Sequence, residues 1–225
     1  SMPELPDILT YIYAIENRLM HKRLLQMNVI SPFVLRTVEP KPADYAGRHL
    51  FDVRRMGKRI VFDFGDEYFA VVHLMIAGRF HWKEPGAKTG GKINLAQFEF
   101  ENGSLMLTEA SSKKRASLTL IYGESNVANL HIPAVEPLVD DAEHFIKALR
   151  KENHTLKRSL TDPHLFSGIG NAYSDEILHA ARLSPMKLTS RLTDEEAMRL
   201  YEATKTTLLT WITRLKKEVG TGFPE

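Results

Sequence analysis

From Leu24 to Tyr122 apolar and polar residues alternate with period two, and no stretch of helical period interrupts them. Strand-like runs fall at 23–30, 47–55, 59–64, 68–74, 78–82, 93–100, 104–107 and 116–122. The pairs Gly65-Asp66, Pro85-Gly86, Gly90-Gly91 and Asn102-Gly103 supply turn chemistry between them. Asn102-Gly103, set between Phe98-Glu99-Phe100 and Leu105-Met106-Leu107, is the strongest hairpin signal. Many short strands without intervening helices restrict this part of the chain to an antiparallel sandwich or barrel.

The flanks read differently. Ahead of the strands, Ile8, Ile12, Ile15 and Leu19 recur on one helical face, with Pro6 in the first turn and Asp7 at the positive end of the helix dipole. After them, the two prolines of 130–137 predict an extended linker. Everything beyond is helical. Asp140 or Asp141 caps a helix with inner face Ala142, Phe145, Ile146 and Leu149, and a short helix covers 155–160. Ser167-Gly168-Ile169-Gly170-Asn171 then opens a helix to about Arg182, stopped by Pro185. Thr193 and Glu196 form a capping box for a long helix with the stripe Ala197, Tyr201, Thr204, Leu208, Trp211, Leu215 and Val219. Met75, between two strand runs, reads as core. The predicted fold is α+β: a helix-led β-sandwich over 2–129, a linker over 130–139 and a helical domain over 140–225, with a groove between the lobes as the natural binding site.

Composition narrows the function only slightly. A net charge of +2 and a pI of about 8.7 are too mild to identify a nucleic-acid partner, so the placement of the cations has to carry that argument. The absence of cysteine excludes disulfides and cysteine-ligated zinc within these residues. With no long apolar run and no signal-like leader, the expectation is an intracellular, cytoplasmic protein without membrane contact. Ser1 ahead of Met2 reads as a remnant of tag cleavage.

Three features carry chemistry. Pro3, once it is the first residue of a mature chain, is a secondary amine that titrates near 8, an uncharged nucleophile in useful fraction at neutral pH. It can attack a sugar aldehyde carbon, and Glu4 beside it can move protons; otherwise Pro3 and Pro6 only fix a leader. Next, cations cluster in Arg54-Arg55-Met56-Gly57-Lys58-Arg59, in Ser111-Ser112-Lys113-Lys114-Arg115, and in Lys147, Arg150, Lys151, Lys157 and Arg158. Each patch alone can be a solvated surface, and together they suit the phosphates of a duplex. Finally, Gly168-Ile169-Gly170-Asn171 at a helix start offers backbone N–H groups to a phosphate, or forms a tight structural turn.

These residues resemble the formamidopyrimidine-DNA glycosylase and endonuclease VIII family of base-excision-repair enzymes. The markers are Met2-Pro3-Glu4-Leu5-Pro6, Arg54 to Lys58, His73 to Gly78, Glu136-Pro137-Leu138, and Gly168-Ile169-Gly170-Asn171-Ala172-Tyr173-Ser174-Asp175-Glu176. The resemblance implies a monomer that acts on duplex DNA containing damaged bases or abasic sites, in a bacterial, nucleoid-associated setting. Pro3 would attack the sugar C1′, displace the oxidised base and form a Schiff base resolved by β,δ-elimination, with Glu4 as acid/base. Lys58, counted with Pro3 and Glu4 among the catalytic residues, and Asn171 would hold the phosphates flanking the lesion; Gly170, Lys157, Arg115 and Ile76 join them as DNA-binding residues, and Asp7 and Glu176 support the site. Ile76 stands where many members carry methionine, and Asp7 where glutamate is common.

The departures are as telling. The family's Asp-Pro-Arg-Arg-Phe-Gly loop, which fills the space left by a flipped base, aligns to Glu109–Ala116, which lacks an aromatic. The family's four-cysteine zinc hairpin would begin where this chain reaches Phe223-Pro224-Glu225. Either the chain is truncated, which is the expected reason, or it represents a zincless branch; no cofactor is expected in these residues, and one structural zinc in a full-length protein that carries the hairpin. If Met2 is kept, the Pro3 nitrogen is a tertiary amide, and the Ser1-bearing chain is expected not to form the Schiff base. The alternatives are a non-catalytic damage-binding paralogue and a bare helix–two-turn–helix binding module.

Overall fold

A computed structural model describes residues 1–225. The period-two region folds into two four-stranded antiparallel sheets. The strands are β1 (Leu24–Val29), β2 (Asp52–Met56), β3 (Arg59–Asp63), β4 (Tyr68–His73), β5 (Gly78–Lys83), β6 (Asn94–Phe100), β7 (Gly103–Glu109) and β8 (Ser117–Tyr122). One sheet runs β1-β6-β7-β5 and the other β2-β3-β4-β8. Between them, Phe62 of β3 meets Phe98 of β6 edge to face at 5.4 Å and Phe80 of β5 at 6.0 Å. Helix α1 (Leu5–Leu19) adds Ile8, Ile12, Ile15 and Leu19 to the same core, all buried as their spacing predicts.

Several local expectations shift. The run at 47–55 yields a strand only from Asp52, because the segment before it is held by loop bonds, Leu24 N to Arg48 O and Leu50 N to Lys22 O. The β6–β7 hairpin forms, but its two turn residues are Glu101 and Asn102, and Gly103 is the first residue of β7. Glycine is required there by close approach: a Cβ on Gly103 would lie 2.3 Å from the Trp82 ring and 2.8 Å from the Lys83 carbonyl, at φ +147°. Met75 is not core. It sits in the β4–β5 turn at φ +57°, half-buried, because that turn needs a left-handed residue and the apolar positions at either side, Leu74 and Phe80, take the interior.

The remaining helices are α2 (Glu124–Ala128), α3 (Ala142–Arg150), α4 (Leu156–Leu160), α5 (Asn171–Ala181) and α6 (Asp194–Val219). The predicted cap at Asp141 forms, its Oδ1 accepting His144 N–H at 3.0 Å, while Thr155, read as the first residue of a short helix, instead caps it, its Oγ1 accepting Arg158 N–H at 3.2 Å. The Thr193–Glu196 box closes reciprocally at 3.0 and 3.1 Å. On α6 the buried line is Ala197, Leu200, Thr204, Leu208 and Ile212, which keeps Ala197, Thr204 and Leu208 of the predicted stripe. Tyr201 packs at the margin of that core, and because a heptad drifts about 20° per repeat around a straight helix, Trp211 and Leu215 walk to the flank of the buried face.

The chain forms two units, Ser1–Pro3 with Ile8–His131 and Glu218–Glu225, and Glu4–Asp7 with Ile132–Lys217. The boundaries therefore differ from those expected. The stretch read as a linker is bonded into the helical unit, where Val135 N–H donates to Leu165 O and Ser167 N–H to Val135 O. No helix is long and apolar enough to cross a membrane.

Candidate active site

Helix α5 starts without a side-chain cap of its own, because Gly170 occupies the N-cap position. The first helical N–H groups of any α-helix lack intrahelical partners and carry partial positive charge. Here Glu4 satisfies them. Its Oε1 accepts Gly170 N–H at 2.6 Å and Tyr173 N–H at 3.1 Å, while Oε2 accepts Ala172 N–H at 3.0 Å. Glu4 is 2% exposed. Leu5 N–H donates to Gly168 O at 2.9 Å, which ties the leader backbone to the glycine-rich turn, and Glu4 N–H donates to Asp7 Oδ2 at 2.9 Å within the leader itself. Pro3, one residue upstream, is buried.

This geometry corrects the expectation for the glycine tetrad. The anion at the α5 N-terminus is the protein's own carboxylate, so the Gly170 N–H is occupied and unavailable to a phosphate. Lys157 is likewise committed: its Nζ donates to the Asn171 carbonyl at 2.9 Å and pairs with Asp175. The Asn171 side chain is exposed at the helix start. Glu176 is exposed on the same helix, and its charge acts with those of Asp7 and Glu4 on Tyr173, whose phenol is pushed up, first by burial and then by these three acids. Glu4, Asp7, Asn171, Lys157 and Glu176 thus gather around one end of α5.

In the sandwich unit, Gly57 (φ +63°) and Lys58 form the two-residue turn of the β2–β3 hairpin, with a left-handed glycine in the first turn position. Of the cations predicted to reach phosphates there, two are taken up locally. Arg54 pairs with Glu124 at 2.8 Å, and Arg55 donates to the Gly57 carbonyl at 2.7 Å, bracing the turn. Lys58 and Arg59 lie close enough to His73 for their charges to act on its imidazole, which is pushed down to about 4, mainly by burial. Neutral His73 accepts Met75 N–H on Nδ1 at 3.1 Å.

The β4–β5 turn that follows is built tightly. Gly78 N–H donates to Leu74 O at 2.9 Å, and a Cβ on Gly78 would lie 2.3 Å from that oxygen. Arg79 Nη1 donates to the carbonyls of Ile76 at 3.0 Å and Gly78 at 2.7 Å. The turn so held presents Ile76, which is 56% exposed. Gly78 pairs with Glu109 across β5 and β7, which sets the loop bearing Arg115 beside this turn. Glu109 is buried, and its carboxylate accepts the N–H groups of Arg115 at 2.9 Å and Ala116 at 3.1 Å, leaving the Arg115 side chain exposed. Sequence reasoning named His73 and Glu109 only as the first residues of longer motifs, with no role of their own, and missed Arg79.

The family's zinc hairpin does not fit the residues present. There is no cysteine, and no three His, Asp or Glu side chains gather where they could hold a metal ion.

A two-sheet sandwich led by a proline–glutamate helix, followed by a helix–two-turn–helix unit whose glycine turn receives that glutamate, defines the class of DNA-repair glycosylases. Domain matches agree: the formamidopyrimidine-DNA glycosylase N-terminal domain over 2–113 and the formamidopyrimidine-DNA glycosylase H2TH domain over 134–221. The formamidopyrimidine-DNA glycosylase of Mycoplasma genitalium is 31% identical over 200 residues, spanning 87% of this chain and 70% of that protein. That of Pelotomaculum thermopropionicum is 29% identical over 213 residues, spanning 90% and 75%. The chain belongs to the formamidopyrimidine-DNA glycosylase family. Its fold is similar to that of Lactococcus lactis Fpg solved in complex with DNA containing an abasic site, with a TM-score of 0.85 and 24% identity over 93% of this chain and 78% of that one.

Proposed function

We propose that this chain, in the form that begins at Pro3, excises oxidised bases from duplex DNA and cuts the strand at the resulting abasic site. The observation that carries the reading is the Glu4 carboxylate, fixed by three backbone N–H groups one residue from the nucleophile. Positioning of this kind supplies much of the advantage of covalent catalysis, since the reacting amine and its proton carrier need no further ordering.

The Pro3 nitrogen forms a bond to the sugar C1′ as the C1′–base bond breaks, and the base leaves with that electron pair and takes up a proton. Glu4 moves a proton at the ring oxygen O4′ as the sugar opens, leaving an iminium between Pro3 and C1′. Loss of a C2′ proton expels the 3′ phosphate, and a second elimination expels the 5′ phosphate. Water then releases the sugar fragment and restores the amine. Lys58 and the Asn171 side chain hold the flanking phosphates, Ile76 enters the space the damaged nucleotide leaves, and Arg115 contacts the other strand. Lys157 acts through the Asn171 carbonyl that it grips, and Asp7 and Glu176 maintain the charge around Glu4.

The test is borohydride trapping on a duplex with one abasic site. Protein beginning at Pro3 gives a covalent adduct, while a Pro3→Gly variant and the chain retaining Ser1-Met2 give much less. A Pro3-initiated protein that neither traps nor cuts lesion-bearing duplexes would remove the proposal.

A further inference from the structure

Phe33 lies in a 3₁₀ turn, Pro32–Val34, and is 81% exposed, while its neighbour Val34 is buried. The backbone around it is anchored to both sheets. Ile30 and Ser31 N–H groups donate to Leu95 O of β6 at 2.9 and 3.0 Å, and Arg36 N–H donates to Leu118 O of β8 at 2.9 Å. The exposed ring therefore stands on a fixed base rather than on a loose loop. Arg36 then ties this turn to a second feature: its Nε donates to Phe33 O at 3.0 Å and its Nη2 to Arg115 O at 3.3 Å. One guanidinium thus bridges the carbonyl of an exposed aromatic and the carbonyl of a cation in the loop that also carries Lys113 and Lys114.

An exposed phenylalanine alone means little. A rigid one joined to a cationic loop has the two parts of a nucleic-acid platform, a π-face for a base and charges for the backbone beside it. A protein partner would be served poorly by a lone ring with cations at its margin. We infer that Phe33 is a base-stacking residue that receives an unstacked nucleobase of bound DNA while Lys113 and Arg115 hold the adjoining phosphates. The inference rests on the duplex-DNA reading given above. It assigns an aromatic contact to a part of the chain that no motif marks.

The experiment uses the whole chain and a duplex with a stable abasic-site analogue. Because the ring is exposed, Phe33→Ala and Phe33→Leu are expected to fold as wild type, which thermal unfolding checks. Both should bind about tenfold more weakly, the order of one base–aromatic stack, and Phe33→Trp should restore binding to within about twofold. The slope of log Kd against log salt stays at the wild-type value in the Phe33 variants and falls in Lys113→Ala, since stacking releases no counterions. A 2-aminopurine walked along both strands should show one position whose fluorescence responds to wild type and Phe33→Trp but not to Phe33→Ala. Wild-type affinity in Phe33→Ala, equal loss in Phe33→Trp, or a changed salt slope in the Phe33 variants overturns the inference while leaving the DNA reading intact. Failure of wild type itself to bind the duplex overturns both.

Discussion

Glu4→Gln is the most informative substitution in this molecule, because it tests whether one carboxylate serves both proton chemistry and architecture. Glutamine keeps the shape of the side chain and one acceptor oxygen. If Oε1 is retained toward Gly170 and Tyr173, the new amide faces the Ala172 N–H, now 3.0 Å away, donor against donor. Hydrogen bonds to a charged group contribute about 1.5–3 kcal/mol each, and a buried donor left unpaired costs about 1–3 kcal/mol. Loss of one charge-assisted bond, weakening of the other two and the unpaired Ala172 N–H together suggest about 3 kcal/mol. For a chain of this length that is a fall in Tm of about 6–12 °C. The assay is thermal unfolding with a ligand-free sample, run beside strand scission on an abasic duplex. A lower melting point with lost scission means that kinetic loss in this variant reports misplacement of Pro3 as well as the missing acid. A Glu4→Gln protein that melts within about 2 °C of wild type would refute the claim that Glu4 is the cap of α5.

Other expectations follow from the same contacts. His73 has a folded pKa pushed down to about 4 from 6.5, so the unfolded chain binds the proton first; stability is complete above pH 6.5 and falls as pH drops toward 4, by about 3 kcal/mol in all. His73→Asn, which keeps an acceptor for Met75 N–H but does not titrate, should flatten that segment of a urea-denaturation pH series; an unchanged slope would dismiss the assignment. Arg79→Met removes both side-chain bonds to the Ile76 turn, and excision from base-bearing lesions should fall about fivefold while cleavage at a preformed abasic site changes less. In an Ile76→Ala background the same change should add nothing, and additive losses would exclude a brace acting through Ile76. Gly103→Ala drives a methyl group into Trp82 and the Lys83 carbonyl and should cost about 3 kcal/mol by chemical denaturation; a neutral result would contradict the packing at that hairpin.

The sandwich was legible because alternation and turn chemistry are local, and the helix faces were legible wherever a short stretch sufficed. Ile8 to Leu19 needs only a few turns to declare itself. The α6 face was misread because a seven-residue rhythm and a 3.6-residue helix part company over a helix of 26 residues. The candidate site was legible as a set of motifs and not as a network. Gly168 to Asn171 announces an anion at a helix start, but nothing near it in the chain says that the anion is Glu4, since the contact spans 166 residues. Arg54 and Arg55 illustrate the same limit. Charge clusters are visible in sequence, whereas Glu124 and the Gly57 carbonyl, which absorb them, become neighbours only after folding.

The cap on α5 comes from a residue 166 positions earlier in the chain. A fragment excised as Ile132–Lys217 would carry the apolar cluster of its helices, yet would lose buried Leu5 and expose bare amides at Gly170, Ala172 and Tyr173. Such a piece should unravel from that corner, and a short peptide bearing Glu4 and Leu5, supplied in trans, is the natural reagent to mend it.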